Sequence, residues 1–313
     1  MSRTEDSGPG FIFHYPETGG TDGDALDAGD LGRVAAAVER AGFGGFSLSE
    51  HPAPGTRWLH AGGHQTLDPF VSLGYAAALT ERIRLITYLS VAPYRNPMLL
   101  AKAAATLDRL SNGRAVLGIG TGYLKGEFHA LGVDFAERNT LFDEALDVLP
   151  LHWSGEAFSY TGKHFSARDV QARPTPVQQP IPIWIGGNSA LSRRRVARAG
   201  HGWIPMTGGA ELSTTARTPE LGSIAEVARK IQEIRASAAA AGRAEHIDLV
   251  YSYSHPGLVG SDAQPRVHRE AFAQLAESGV DWIVVSTRSG VHETLDPAIT
   301  FDFVNEFGET YIA

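Results

Sequence analysis

The chain of 313 residues contains no cysteine. Disulfides, thiolate nucleophiles and cysteine-ligated metals are therefore excluded. A basic excess is also missing: 27 Lys and Arg stand against 35 Asp and Glu, for a net charge of −8. No charge-driven attraction to nucleic acid or to an anionic membrane is expected. Apolar runs are broken by charge every few residues, so none reaches transmembrane length. Met1 to Gly10 lack the basic and apolar stretches of a signal peptide and read as a flexible polar tail. The expectation is a soluble cytoplasmic protein of one domain, residues 1–313.

Several catalytic signatures are absent too. No Gly-Lys-Ser/Thr follows a glycine loop, and the dinucleotide glycine spacing is not found. His-Glu-x-x-His and Gly-x-Ser-x-Gly do not occur. His60 and His64 flank Gly62-Gly63 without a carboxylate at ligand spacing, so no metal site is expected.

What is present is a regular alternation of strand and helix patterns. Strands are expected at Phe11–His14, Phe46–Ser49, Ile83–Ser90, 115–120, Ile183–Ile185, Gly202–Met206, Asp248–Tyr253 and Trp282–Ser286. Helices are expected at Asp27–Ala41, Pro69–Thr80, Pro97–Leu110, Glu137–Trp153, Ala190–Ala199, Ala225–Ala241 and Arg266–Ser278. Alternation argues a parallel sheet, and eight units argue a closed (β/α)8 TIM barrel. An open doubly wound sheet is the alternative. Two stretches break the pattern. One is 154–180, a proline-rich and hairpin-like insertion; the other is Thr207–Gly222, too long for an ordinary connection. Insertions of this kind in barrels tend to cover the site or build a dimer contact.

Two strand ends carry glycines. Arg114-Ala-Val-Leu-Gly-Ile-Gly-Thr-Gly-Tyr123 runs from an apolar strand into glycines 118, 120 and 122, then into a helix start at Glu127. Ile183-Trp-Ile-Gly-Gly-Asn-Ser189 repeats the arrangement. Glycine lets backbone N–H groups approach a ligand that a Cβ would block, and oriented N–H groups attract phosphate. Either stretch alone is equally well read as a tight turn. Together they point to a phosphorylated cofactor without naming it.

In a barrel the chemistry lies at the carboxyl ends of the strands. Glu50-His51 ends the second strand, and an imidazole there can exchange a proton near neutrality. His14 ends the first strand. Tyr94 and Tyr123 are the hydroxyl candidates. Arg193, Arg194 and Arg195 lie in the first turns of a helix, where cations oppose the helix dipole unless an anion is near.

Six segments in order resemble the luciferase-like family of flavin-dependent monooxygenases and reductases. They include Pro93-Tyr-Arg-Asn-Pro-Met-Leu-Leu-Ala-Lys102, Ala105-Thr-Leu-Asp-Arg-Leu-Ser-Asn-Gly-Arg114, Leu117-Gly-Ile-Gly-Thr-Gly-Tyr123 and Glu127-Phe-His-Ala-Leu-Gly132. Pro182-Ile-Trp-Ile-Gly-Gly-Asn-Ser189 and Gly200-His-Gly-Trp203 extend the likeness across residues 10–300. The resemblance implies a TIM barrel with its insertion after the fifth-strand region, a homodimer, and either coenzyme F420 or FMN as cofactor. Carried over, Gly120, Thr121, Gly122 and Tyr123 would hold the cofactor's phosphate and ribityl chain. Gly186, Gly187, Asn188 and Ser189 would share that task, with Arg193 facing an anion. A non-prolyl cis peptide is expected at Tyr88–Leu89, behind the cofactor ring. His51 would handle the proton, Glu50 would orient it or tune its pKa, and Tyr94 would assist.

The stretch from Glu50-His51-Pro52 through Leu67-Asp68-Pro69-Phe70 looks most like the F420-dependent branch. Sugar-phosphate dehydrogenases of that branch carry a carboxylate where Tyr123 stands here, which argues against that substrate. The implied activity is hydride transfer between F420 and a small organic substrate. Its rivals are an FMN monooxygenase, served by a separate reductase, and a flavin-binding barrel without activity.

Overall fold

The computed structural model describes residues 8–19, 24–207, 209–287 and 296–313. Seven residues of the expected N-terminal tail and position 208 of the second irregular stretch lie outside them.

Eight strands form the barrel: β1 (Gly10–His14), β2 (Gly45–Leu48), β3 (Arg84–Thr87), β4 (Ala115–Gly120), β5 (Ile183–Gly186), β6 (Gly202–Ile204), β7 (Asp248–Ser252) and β8 (Trp282–Val285). Each pairs in parallel with its neighbours, and β8 returns to β1 at Gly10↔Trp282 to close the ring. A helix follows each strand: α1 (Leu31–Arg40), α2 (Pro69–Ala77), α3 (Pro97–Leu110), α4 (Arg138–Trp153), α5 (Ala190–Ala199), α6 (Ile224–Ala240), α7 (Pro265–Glu277) and α8 (Pro297–Phe307). The closed (β/α)8 reading therefore holds over the open sheet.

Local chemistry sets the helix starts. Asp68, Asn96 and Asp296 accept bonds from backbone N–H groups of the first turn, each followed by proline at the first helical position. Proline has no N–H to leave unpaired there and is already bent into the helix. The alternation of side chains along each strand divides the core in two. Phe13, Phe46, Leu85, Leu117 and Ile185 pack outward against the helices. Ile12, Ile86, Val116, Trp184, Ile204, Val250, Trp282 and Val284 fill the barrel interior. The interior is solid, so a ligand is met only at the carboxyl mouth.

Four departures from the expected elements have identifiable causes. The third strand does not run through to Ser90. It stops at Thr87, turns at a cis Tyr88–Leu89 peptide, and Ser90–Val91 pairs afresh with Ile119–Gly120. The hairpin-like insertion expected at 154–180 is present, but it lies before β5 rather than after it: a hairpin of Ala157–Thr161 with Ser166–Gln171 leaves α4 and returns to β5. Its turn lies against α4, where Glu144 accepts from the N–H groups of Lys163, His164 and Phe165. Helix α8, absent from the periodicity reading, buries Phe303, Val304 and Phe307 against α1 and Phe11. Its signal was Asp296-Pro297 followed by apolar residues at helical spacing. The Thr207–Gly222 stretch includes a short helix, Ala210–Thr215. Among the described residues no helix is long and apolar enough to cross a membrane.

Candidate active site

Glycine at 118, 120 and 186 serves the fold before it serves any ligand. A Cβ at Gly118 would lie 2.0 Å from the Thr87 carbonyl oxygen. At Gly186 it would lie 2.2 Å from the Leu89 side chain, and at Gly120 it would lie 3.2 Å from it. The three positions thus form a recess that receives the Tyr88–Leu89 turn, which fixes that turn across the barrel mouth.

The two glycine stretches then differ. In the second, the N–H of Gly187 donates to Ile204 O at 3.1 Å and that of Asn188 to Thr218 Oγ1 at 3.0 Å. The Asn188 amide ties Met206 and Pro219 to the end of β5, Ser189 caps α5, and Arg193 donates to the Asn188 carbonyl. The amides of Gly187 and Asn188, expected to face a ligand, are thus occupied by the fold's own bonds. In the first, the N–H groups of Thr121, Gly122 and Tyr123 have no partner among the described residues. Gly122 there takes a left-handed φ of 74°. Such a run of half-buried amides suits an anion, so the residues after β4 fit a cofactor phosphate.

Glu50 and His51 leave the end of β2 in different directions. Glu50, 3% exposed, accepts from Ser90 Oγ at 2.9 Å and from the Val91 N–H at 2.7 Å, and pairs with Arg95. It does not orient His51. That task falls to Glu127: His51 Nδ1 lies 3.2 Å from Glu127 Oε2. Tyr94 OH donates to the same oxygen at 2.7 Å, and Ala53 N–H donates to Glu127 Oε1 at 3.3 Å. Glu127 is fully buried. His51 Nε2 has no hydrogen-bond partner among the described residues. Its ring packs on Trp58 at 4.6 Å and His64 at 4.9 Å, with Tyr123 at 6.2 Å.

A second carboxylate lies beside this group. Glu17 meets His14 Nε2 at 2.9 Å and His64 Nε2 at 2.8 Å, and accepts from Ser49. Burial works to raise its pKa, but His64 and His14 outweigh it and hold the carboxyl well below its usual range. His14 also meets Ser47 Oγ at 3.0 Å and packs on Tyr88. Burial, with Glu127 nearby, pushes the Tyr94 and Tyr123 hydroxyls up, and burial alone does so for Tyr88. All three stay protonated donors at neutral pH.

The structure brings the expected His51, Tyr94, Tyr123 and Tyr88–Leu89 together at the carboxyl mouth. Sequence reasoning assigned Glu50 the wrong partner, and read Glu127 only as a helix start. Glu17, Trp58 and the ring contact of His64 were missed, since nothing in linear spacing joins them. Arg195 does not belong to a basic groove, being buried and doubly bonded to Asp143 at 2.7 and 2.9 Å. His246, Asp248 and Asp281 gather at the opposite end of the barrel, where Arg235 bonds Asp281 at 3.0 Å.

A parallel barrel with unpartnered amides after β4 and a carboxylate-held imidazole after β2 is a TIM barrel whose carboxyl mouth suits an anionic ligand and proton exchange. The luciferase-like monooxygenase profile matches residues 10–271, and the chain belongs to that family. An uncharacterised protein of Mycobacterium tuberculosis is 34% identical over 217 residues, 69% of this chain and 68% of that one. An F420-dependent glucose-6-phosphate dehydrogenase of Beutenbergia cavernae is 36% identical over 198 residues, 61% of this chain and 57% of that enzyme. Among solved structures, the monooxygenase RslO1 from Streptomyces bottropensis superposes with a TM-score of 0.75. It is 22% identical, with 97% of this chain and 98% of that one covered, a likeness of fold.

Proposed function

We propose that the protein is an F420-dependent oxidoreductase acting on a small organic substrate. The observation that carries the reading is the His51–Glu127 pair, whose Nδ1 is held while Nε2 lacks a partner. The deazaflavin, when bound, supplies the hydride acceptor or donor. The protein's part is to bind, orient and move a proton. Thr121 to Tyr123 would hold the phosphate through their free amides, and the Tyr88–Leu89 turn would support the ring. Glu127 fixes the imidazole so that Nε2 exchanges a proton with substrate, as carboxylates do for catalytic histidines elsewhere. Trp58 and Tyr123 offer aromatic surface around it. Tyr123, where a carboxylate is expected for sugar-phosphate oxidation, argues against that substrate.

Parallel fluorescence titrations of cofactor-free protein with F420 and with FMN test the proposal. Tight binding of F420 alone supports it. Preference for FMN makes an oxygen-using monooxygenase the better reading, consistent with the monooxygenase fold neighbour. Binding of neither overturns both. His51→Ala should lower turnover by about 10²–10³-fold with little change in cofactor affinity. Equal loss of both would remove His51 from proton transfer.

A further inference from the structure

Three cations converge on the ring of Phe135. Lys125 Nζ lies 5.3 Å from its centroid, the Arg138 guanidinium 4.0 Å and the Arg217 guanidinium 5.5 Å. They come from three places: the short helix after β4, the first residue of α4, and the connection after β6. None has a carboxylate partner among the described residues. The adjacent carboxylate of Glu137 is engaged by Lys163 at 2.5 Å and His164 at 2.9 Å. Burial, with Arg217 and Arg195 nearby, lowers the pKa of Arg138. An aromatic face offsets only part of the repulsion among like charges.

The position of the cluster says what it could bind. Lys125 follows the unpartnered amides of Thr121 to Tyr123 by two residues. Arg217 takes a left-handed φ of 53°, unusual for a residue with a side chain. The next two residues fasten it to the end of β5, through Asn188 N–H to Thr218 Oγ1 at 3.0 Å and Asn188 Nδ2 to Pro219 O at 2.7 Å. The cations thus flank the ends of β4 and β5.

We infer that Lys125, Arg138 and Arg217 form a subsite for a chain of carboxylates or phosphates extending outward from a bound cofactor's phosphate. Naming that chain as the oligoglutamate tail of F420 rests on the proposed function. FMN ends at its phosphate and has no such extension. An acidic substrate could present the same chemistry.

The test uses cofactor-free protein and the doubly substituted Lys125→Gln/Arg217→Gln variant. Each is titrated with tailed F420, with F420 lacking its glutamates, and with γ-linked triglutamate alone, read by fluorescence or thermal shift. The variant should bind tailed F420 about tenfold more weakly and the tailless form within about twofold of the parent. Added salt should weaken the tailed form more than the tailless one. Equal weakening of both forms, or of neither, overturns the inference. Triglutamate that competes with tailed F420 identifies the tail as the occupant; triglutamate that stabilises the F420-saturated protein identifies an acidic substrate. If the parent binds neither F420 form, the proposed function falls and triglutamate decides the subsite alone. Stabilisation of the parent but not the variant keeps the subsite, and stabilisation of neither rejects it.

Discussion

His51 and Glu127, 76 residues apart, meet at 3.2 Å inside the barrel mouth, and Glu127 is fully buried beneath the imidazole. A buried carboxylate against one ring nitrogen fixes both the tautomer and the direction of the other nitrogen. Glu127→Gln should therefore lower turnover about 10–100-fold while leaving cofactor affinity within about threefold. Steady-state kinetics beside fluorescence titration separates the two quantities. A parallel fall in both would make Glu127 a structural residue.

Tyr94 shares the same carboxylate oxygen at 2.7 Å. Tyr94→Phe keeps the ring and removes a charge-assisted bond, so a stability loss of about 1–3 kcal/mol is expected. Urea denaturation measures it, and an unchanged midpoint would place that bond outside the stability of the fold.

Glu50 predicts a different phenotype. It holds Arg95, Ser90 and the Val91 N–H, so Glu50→Ala leaves a part-buried guanidinium without its carboxylate and an amide unpaired. The expected loss is about 2–4 kcal/mol, at or below the range for broken buried pairs because Arg95 keeps some exposure. Thermal melting of the variant checks this, and a melting temperature equal to the parent's would contradict it.

Glycines near the site should separate sharply by location. Gly118→Ala places a methyl against the Thr87 carbonyl oxygen, a rigid backbone atom, and should destabilise by about 3 kcal/mol or more. Gly126→Ala, in the short helix Lys125–Ala130, has nothing within 4 Å of its Cβ. It should be neutral or stabilising by up to about 1 kcal/mol. Paired denaturation curves decide both.

At the closed end of the barrel, burial and the nearby Asp281 push the Asp248 carboxyl up to about 6. An acid with a raised folded-state pKa holds its proton longer folded than unfolded. Its ionisation therefore costs stability as pH rises from the ordinary carboxyl range through about 6. Asp248→Asn removes that cost. The variant should gain on the parent, by on the order of 1–2 kcal/mol, between about pH 4 and pH 7. Denaturation midpoints compared across that range read the difference, and a constant gap would refute it.

Much of this protein was legible along the chain. Eight apolar strands between amphipathic helices, with Asp-Pro and Asn-Pro helix starts, carry the barrel in local pattern alone, because periodicity and capping act over a few residues. The glycines of Leu117–Tyr123 and the pair Glu50-His51 do lie at carboxyl strand ends, where a parallel barrel puts its chemistry. Helix α8 was passed over although Asp296-Pro297 announced it.

Partnership was decided only in three dimensions. Adjacent in sequence, Glu50 and His51 part at the end of β2, and each finds its counter-group from another strand: Arg95 after β3, Glu127 after β4. Arg195 looked available and is buried on Asp143, whereas Lys125, Arg138 and Arg217, scattered over 93 positions, surround one ring. The glycines that read as ligand-facing proved in three cases to make room for Thr87 and Leu89. Composition and periodicity determine which surfaces are buried and so the fold. Which charge faces which depends on strand register and barrel closure, and these bring together atoms that no spacing along the chain relates.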